Sequence, residues 1–180
     1  MIRSRNNDRL ALDNNGITCA VFLSPLGWAG VAVSELGVCK VVLPREGKRA
    51  VQKELSAPLL PEDAWHGLLG RSAHQLRHYL SGERVSFDLL LNMRYYTSFQ
   101  RAVWQAAAEI PYGETRSYAW IAMRIRNRQA TRAVGQALGA NPVPIIIPCH
   151  RVISSAGTLG GFSGGLSMKQ QLLDLEAKQR

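Results

Sequence analysis

Between Thr115 and Arg151 the chain carries six arginines (Arg116, Arg124, Arg126, Arg128, Arg132 and Arg151) and no acidic residue. The stretch is also punctuated so that no long helix or strand fits into it. Pro111-Tyr112-Gly113 closes whatever precedes it, Ser117 is a good N-cap, Arg126–Gln129 holds no apolar residue, and Asn141-Pro142 stops the chain again. What fits is a pair of short helices. One starts at Ser117, with Tyr118, Ile121, Ala122 and Ile125 in register, and one runs from Thr131 to about Ala140. Joined by a tight basic turn, with Asn127 the natural left-handed residue, they form a helix-turn-helix candidate. Unopposed positive charge there points to an anionic partner, with nucleic acid first.

The helix from Thr131 has an unusual face. Val134 and Leu138 point toward a core, while Arg132, Gly135, Gln136 and Gly139 point away, with Ala133 at the edge. Two exposed helical glycines cost about 1 kcal/mol each relative to Ala. Close approach to another backbone offsets such a cost, and a smooth helix pressed into a narrow DNA groove meets that requirement beside so many arginines. The charge is uneven along the whole chain. Residues 1–90 hold 11 Lys/Arg against 9 Asp/Glu, and residues 91–180 hold 11 against 4, so the anionic partner belongs to the second half.

The first half reads differently. Ile17–Leu23, Trp28–Val33 and Val38–Leu43 are strand-like, separated by Ser24-Pro25-Leu26-Gly27 and Glu35-Leu36-Gly37 as turns, which makes an antiparallel meander. Pro44–Leu59 is charged and reads as irregular. Asp63–Leu80 has helical spacing with a defect at Gly70, and Val85–Leu91 reads as one more strand. In the second half, Thr97-Ser98-Phe99-Gln100 is a capping box opening a helix with Phe99, Val103, Trp104, Ala107 and Ile110 on one side. Ile145-Ile146-Ile147 is apolar and buried. Gly157–Gly165, with five glycines in nine residues, must be a loop, and Ser167–Lys178 is a last amphipathic helix.

No apolar run is long enough to span a bilayer, and the polar, basic N-terminus has no signal-peptide core. These features predict an intracellular protein: cytoplasmic and nucleoid-associated in a prokaryote, nuclear in a eukaryote, with residues 1–15 loose. Three widely spaced cysteines (Cys19, Cys39 and Cys149) without a CxxC pair suggest neither a disulfide framework nor a structural zinc. Cys19 and Cys39 read as buried small hydrophobes in strands.

Cys149 stands apart, in Pro148-Cys149-His150-Arg151-Val152. A cysteine attacks as thiolate and needs a base or a positive neighbour, and the base needs an orienting group. His150 and Arg151 are adjacent. Glu176 falls inside the apolar stripe Met168, Leu172 and Leu175 of the last helix, where a carboxylate requires a partner. Together they suggest a Cys-His-Glu relay, with water bridging Cys149 and His150.

The run from Asn141 to Ile153 around this string resembles the active-site signature of the O6-alkylguanine-DNA alkyltransferases. Ile110 through Tyr118, Arg132-Ala133-Val134-Gly135, Gly160-Gly161-Phe162-Ser163-Gly164-Gly165, Lys169 and Leu172-Leu173 with Glu176 extend the match, in order, over about Ser98 to Glu176. Ser24-Pro25-Leu26-Gly27 and the strands after it resemble the family's N-terminal domain more weakly. The resemblance implies an α+β protein. It would have a small N-terminal α/β domain of RNase H-like type over 16–92, and a helical DNA-binding and alkyl-transfer domain with a helix-turn-helix over 97–180.

The implied function is single-use DNA repair. An alkyl group moves from O6-alkylguanine, or O4-alkylthymine, in double-stranded DNA to Cys149, after minor-groove binding and base flipping, by a monomer with no cofactor, metal or membrane. In that reading His150 takes the thiol proton, Glu176 orients His150, Tyr118 protonates the leaving guanine, and Asn141 sits at the turn between the recognition helix and the active-site strand. Arg132 enters the duplex in place of the flipped nucleotide. Ala133, Gly135 and Gly139 face the minor groove, and Arg126, Arg128 and Arg151 add phosphate contacts. Ser163, Gly164 and the carbonyls around Cys149 and Val152 read the base, and Phe162, where the family commonly has Tyr, closes the pocket. Two alternatives make different demands. A non-enzymatic lesion sensor on the same scaffold lacks the reactive cysteine, which is present here. A transcription regulator places long polar side chains where this chain has Gly135, Ala137 and Gly139.

Overall fold

The computed structural model describes residues 16–178, so the expectation for residues 1–15 lies outside them. The described chain is mixed α/β, with six α-helices and two small sheets. It divides into two compact units, one running to Ser81 and taking in Val85–Tyr95, the other comprising Gly82–Arg84 and the chain from Tyr96 onward.

The first unit is built on β1 (Thr18–Ser24), β2 (Gly27–Ser34) and β3 (Gly37–Arg45), an antiparallel meander in sequence order. Both hairpins close through two residues, with Ser24 paired to Gly27 and Ser34 to Gly37. At Gly37, φ is 131° and a Cβ would lie 2.5 Å from the Leu90 carbonyl oxygen, so only glycine fits. The strands are almost continuously buried rather than alternating because helices cover both faces. On one face α1 (Lys48–Leu55) sets Val51 and Leu55 against Cys19, Val21, Ala32, Cys39 and Val42. It comes so close at Gly30 that a Cβ there would be 2.7 Å from Val51. The other helix, α2 (Gly67–Leu80), also packs on the strands.

Three expectations change here. Pro44–Leu59 is not irregular: it contains α1, whose short amphipathic pattern rests on two buried residues among lysines and an arginine. Val85–Leu91 is not a strand. It touches the sheet through one bridge, with Val38 N–H donating to Leu90 O (2.7 Å) and Asn92 N–H to Val38 O (2.9 Å). The Gly70 defect in α2 has a steric cause, since a Cβ would stand 2.5 Å from the Trp65 carbonyl oxygen.

The second unit holds α3 (Ser98–Ala108), the parallel pair β4 (Arg116–Ser117) and β5 (Val152–Ile153), α4 (Tyr118–Arg124), α5 (Thr131–Gly139) and α6 (Leu166–Ala177). The Thr97/Gln100 capping box forms in full, and Ser117 Oγ accepts from Trp120 N–H to cap α4. Val103, Trp104, Ile110, Ile121, Val134, Ile145, Val152 and Leu172 are buried core, and Trp104 donates its indole N–H to Ala137 O (2.8 Å).

The turn between α4 and α5 closes with Arg126 N–H on Met123 O and Asn127 N–H on Ala122 O, a Schellman pair. The left-handed residue is Arg126 (φ 57°), not Asn127, because it occupies the position just past the helix C-cap, Ile125. Helix α6 also departs from expectation: its buried residues are Lys169, Leu172 and Glu176, two charges and one leucine, rather than Met168, Leu172 and Leu175.

Candidate active site

Cys149 sits on a 3-10 turn, Cys149–Arg151, with β5 starting only at Val152, so the expected active-site strand begins later than the cysteine. Three residues per turn fan successive side chains apart. Cys149 thereby lines a cavity on one side, while the long Arg151 side chain reaches round to join His150 on Glu176.

Glu176 is fully buried and heavily engaged. Oε1 receives His150 Nε2 (2.9 Å) and Arg151 NH2 (2.9 Å), and Oε2 receives Arg151 Nε (3.0 Å) and the Gly113 N–H (2.9 Å). Burial alone would raise its pKa, but hydrogen bonds from His150 and Arg151 outweigh it and hold the group at about 2. An ionised carboxylate only accepts, so the neutral His150 ring carries its proton on Nε2 and Nδ1 is the basic nitrogen. Burial keeps His150 below the usual histidine range, opposed by Glu176.

The Cys149 thiol is pushed up to about 11 by burial, opposed by an N–H from Asn141 and the charge of Lys169. Asn141 is central to the local geometry. Its Nδ2 donates to Cys149 Sγ (3.1 Å) and Ile147 O (2.9 Å), and its Oδ1 accepts from Val143 N–H (3.0 Å). It pins both ends of the turn that carries Ile145, a buried β-branched residue at φ 77°. Such a conformation costs on the order of 1–3 kcal/mol and persists only where surroundings enforce it.

A cavity of about 770 Å³ is lined by Cys149, Tyr118, Thr131, Arg132, Gly135, Gln136, Leu138, Gly139, Gly161, Phe162 and Ser163. It therefore gathers the predicted nucleophile, the Arg132-Gly135-Gly139 face of α5 and the glycine-rich loop. Tyr118 donates its hydroxyl to Gly161 O (3.2 Å), and burial raises its pKa, so it stays protonated. Gly160 lets the loop pass Tyr118: a Cβ there would be 2.7 Å from the hydroxyl oxygen. Asn141, His150 and Glu176 stand behind Cys149 rather than in the cavity lining, and Ala133, Gly164 and Val152 are outside it too. Val152 is buried, and its carbonyl, expected to face the base, accepts from Lys169 Nζ (2.6 Å).

The six arginines divide. Arg151 was expected at the DNA surface but is buried, held by Glu176 and Ile110 O (2.7 Å). Arg116 pairs with Glu114 and Arg124 with Glu109, both guanidinium groups lying against the Trp120 ring. The acids come from outside the acid-free segment, which is why counting inside it missed them. Arg126, Arg128 and Arg132 are exposed and pair with no carboxylate among the described residues. The sequence places Lys169 in the family match without giving it a role; the structure buries it on the same face of α6 as Leu172 and Glu176. His74 and His78 stand four apart on α2, a metal-ligand spacing, but no group of three such ligands occurs among the described residues.

Fold and site together describe a protein that presents a buried cysteine, backed by a His–carboxylate pair, to a cavity walled by a glycine-bearing helix with an arginine at its start. Residues 98–178 match the family described as "6-O-methylguanine DNA methyltransferase, DNA binding domain". A methylated-DNA–protein-cysteine methyltransferase of Methanosarcina acetivorans is 44% identical over 160 residues, spanning 87% of this chain and 96% of that one. The crystal structure of the Mycobacterium tuberculosis O6-methylguanine methyltransferase superposes with a TM-score of 0.75 at 37% identity, covering 91% of this chain and 94% of that one. The M. tuberculosis OGT in complex with DNA gives the same TM-score and identity over 90% and 94%. The chain belongs to the methylated-DNA–protein-cysteine methyltransferase family.

Proposed function

We propose that this chain repairs DNA by accepting, once, the alkyl group of O6-alkylguanine on Cys149. The observation that carries the reading is the cavity that Cys149 shares with Tyr118, Arg132 and the small-residue face of α5. At a pKa of about 11 only ~10⁻⁴ of the thiol ionises at pH 7. A local base is therefore required, and neutral His150 backed by Glu176 is the candidate. The proton passes from Sγ to His150 Nδ1 through a bridging water, and Glu176 stabilises the resulting imidazolium. The thiolate attacks the alkyl carbon: an S–C bond forms, the C–O6 bond breaks, and its electron pair leaves with guanine. Tyr118 supplies a proton, so guanine departs neutral. The thioether has no easy hydrolytic exit, so the protein acts once.

A buried sulfur cannot reach O6 in a stacked base, so the nucleotide must flip. Arg132 fills the space left in the duplex, as inserted side chains do from the minor groove. Ala133, Gly135 and Gly139 let α5 approach closely, with α4 and α5 acting as a helix-turn-helix and Arg126 and Arg128 holding phosphates. Ser163, Gly164 and backbone carbonyls beside Cys149 read the base, Phe162 stacks on it, and Asn141 fixes the turn. On this reading the second unit, 97–180, is the DNA-binding and transfer domain, and 16–92 an RNase H-like companion. The protein would work as a monomer wherever the chromosome lies; no described helix is long and apolar enough to cross a membrane. The sensor alternative is disfavoured by Cys149 itself and by the likeness to methyltransferases. Intact mass after incubation with an O6-methylguanine duplex tests the proposal: one added methyl, located on Cys149, is expected, and no adduct or repeated turnover refutes it.

A further inference from the structure

We infer that Gln136 is a specificity-determining residue for repair in duplex: its side-chain amide reads a base pair beside the flipped nucleotide from the minor groove and favours guanine there. The inference rests on the reading of α5 as the helix that enters that groove. Gln136 is exposed and lines the cavity together with Cys149 and Arg132. Its amide has no hydrogen-bond partner among the described residues, and no step of alkyl transfer uses it.

The surroundings of Gln136 set it apart. A Cβ at Gly135 would meet only the Tyr118 ring, at 3.8 Å, and one at Gly139 would meet nothing within 4 Å. Packing inside the chain therefore requires neither glycine, and the space they leave faces outward. Arg132 and Gln136, four residues apart, are the long side chains that this face presents. A glutamine in the middle of a face cleared for close approach is not idle. Pressed into a groove it loses its water, and an amide left there without partners is penalised.

Base edges are the partners within reach. Arg132 marks the gap left by the flipped nucleotide, and four residues are about 6 Å of helix. Base pairs stack about 3.4 Å apart, so the amide falls within about two pairs of the gap. In the minor groove every base offers an acceptor, but only guanine adds a donor, its 2-amino group. A glutamine amide carries a donor and an acceptor side by side. It matches guanine N3 and N2 with both, whereas at an A·T pair its oxygen finds no donor. An arginine or lysine in this place, having donors only, would draw no such distinction.

The test uses hypoxanthine, which is guanine without the 2-amino group. It replaces guanine in turn at each of the two G·C pairs on either side of an O6-methylguanine, in either strand of the duplex. Affinity and single-turnover methyl uptake are both measured. For one of these replacements wild type should bind and repair about fivefold less well than with guanine, the lower end of a good amide–base contact. Hypoxanthine also pairs more weakly, which eases flipping for any protein. Each ratio is therefore compared with that of Gln136→Ala and of Gln136→Leu, which keeps bulk without the amide, in proteins checked for folding by melting. Both variants should lose the penalty. The same ratios in wild type and both variants at every position would overturn the inference and leave Gln136 solvated surface. A penalty in affinity, lost in both variants, in a protein that takes up no methyl would uphold Gln136 and refute alkyl transfer instead.

Discussion

Cys19 and Cys39 lie under the sheet of the first unit, and burial pushes their pKa values up to about 12 and about 11; Cys149, in the second unit, stands at about 11. By ionisation alone the three thiols are nearly equivalent. Their surroundings are not. Cys19 and Cys39 pack against Val21, Val42, Val51 and Leu55, and the Cys39 thiol donates weakly to Ala32 O (3.4 Å). Cys149 has an N–H from Asn141, a His–carboxylate pair behind it, a buried lysine nearby and a cavity in front. A raised pKa thus marks burial, not inertness. The nucleophile is distinguished by somewhere for its proton to go and somewhere for its electrophile to sit.

The largest expected effect breaks that comparison directly. Cys149→Ser should abolish methyl uptake from an O6-methylguanine duplex, measured by intact mass, whereas Cys19→Ala and Cys39→Ala should keep one methyl per protein at rates within about twofold. Adducts on Cys19 or Cys39 in the wild type would mean that exposure on opening, not site chemistry, selects the sulfur.

Arg132→Ala should come next. If Arg132 keeps a flipped base out of the stack, its loss matters only in duplex. A few kcal/mol of unstacking corresponds to about 100-fold in duplex repair. Reaction with free O6-benzylguanine should fall by no more than about threefold. Equal losses on both substrates would mean that Arg132 supports the fold of α5.

Glu176→Gln tests whether the acid behind His150 separates the two kinds of thiol. Its pKa is held at about 2, below the ordinary 4.5. A depressed carboxylate stabilises the fold above its unfolded pKa, and that contribution fades as pH falls from about 4.5 toward 2. The shift corresponds to roughly 3 kcal/mol. The variant should melt lower at neutral pH and show a flatter loss of stability below pH 4.5. Its Cys149 alkylation should slow about tenfold at pH 7 and recover partly as pH rises. A wild-type rate at every pH, with unchanged melting, would remove Glu176 from the site.

Much of this was legible in the sequence because it depends on local rules. The Thr97/Gln100 cap, the Ser117 cap, the place of both turns in the meander and the outward face of α5 follow from spacing and turn chemistry. The pairing of Glu176 with His150 was reached from the expected burial of a carboxylate on the last helix, although the buried face there is Lys169, Leu172 and Glu176 and not the expected apolar stripe. What was hidden is non-local. Arg151 was counted as surface charge because its partner lies 25 residues away. The acids that quiet Arg116 and Arg124 precede the acid-free segment. Lys169 stands in the family match, but what it holds is hidden until the loop carbonyls are in place. Helix α1 was missed because only Val51 and Leu55 face inward, too few apolar positions to reveal a period.

The smallest effect concerns the turn between α4 and α5. Arg126 holds the left-handed position of the Schellman turn, where a non-glycine residue costs roughly 1 kcal/mol. Its side chain is exposed and meets no carboxylate among the described residues. Strain kept at an exposed arginine is the pattern expected where the charge, not the backbone, is useful. Arg126→Gly separates the two. Glycine adopts this φ without a Cβ penalty but has more freedom to lose on folding, so the net gain should be a few tenths of a kcal/mol up to about 1, read as a slightly higher melting temperature. If Arg126 neutralises one phosphate, the slope of log affinity against log salt should shrink by about 0.9. Stability and salt dependence then move in opposite senses. A higher melting temperature with an unchanged salt slope would make Arg126 solvated surface, and would leave Arg128 and Arg132 as the charges of this segment that meet DNA.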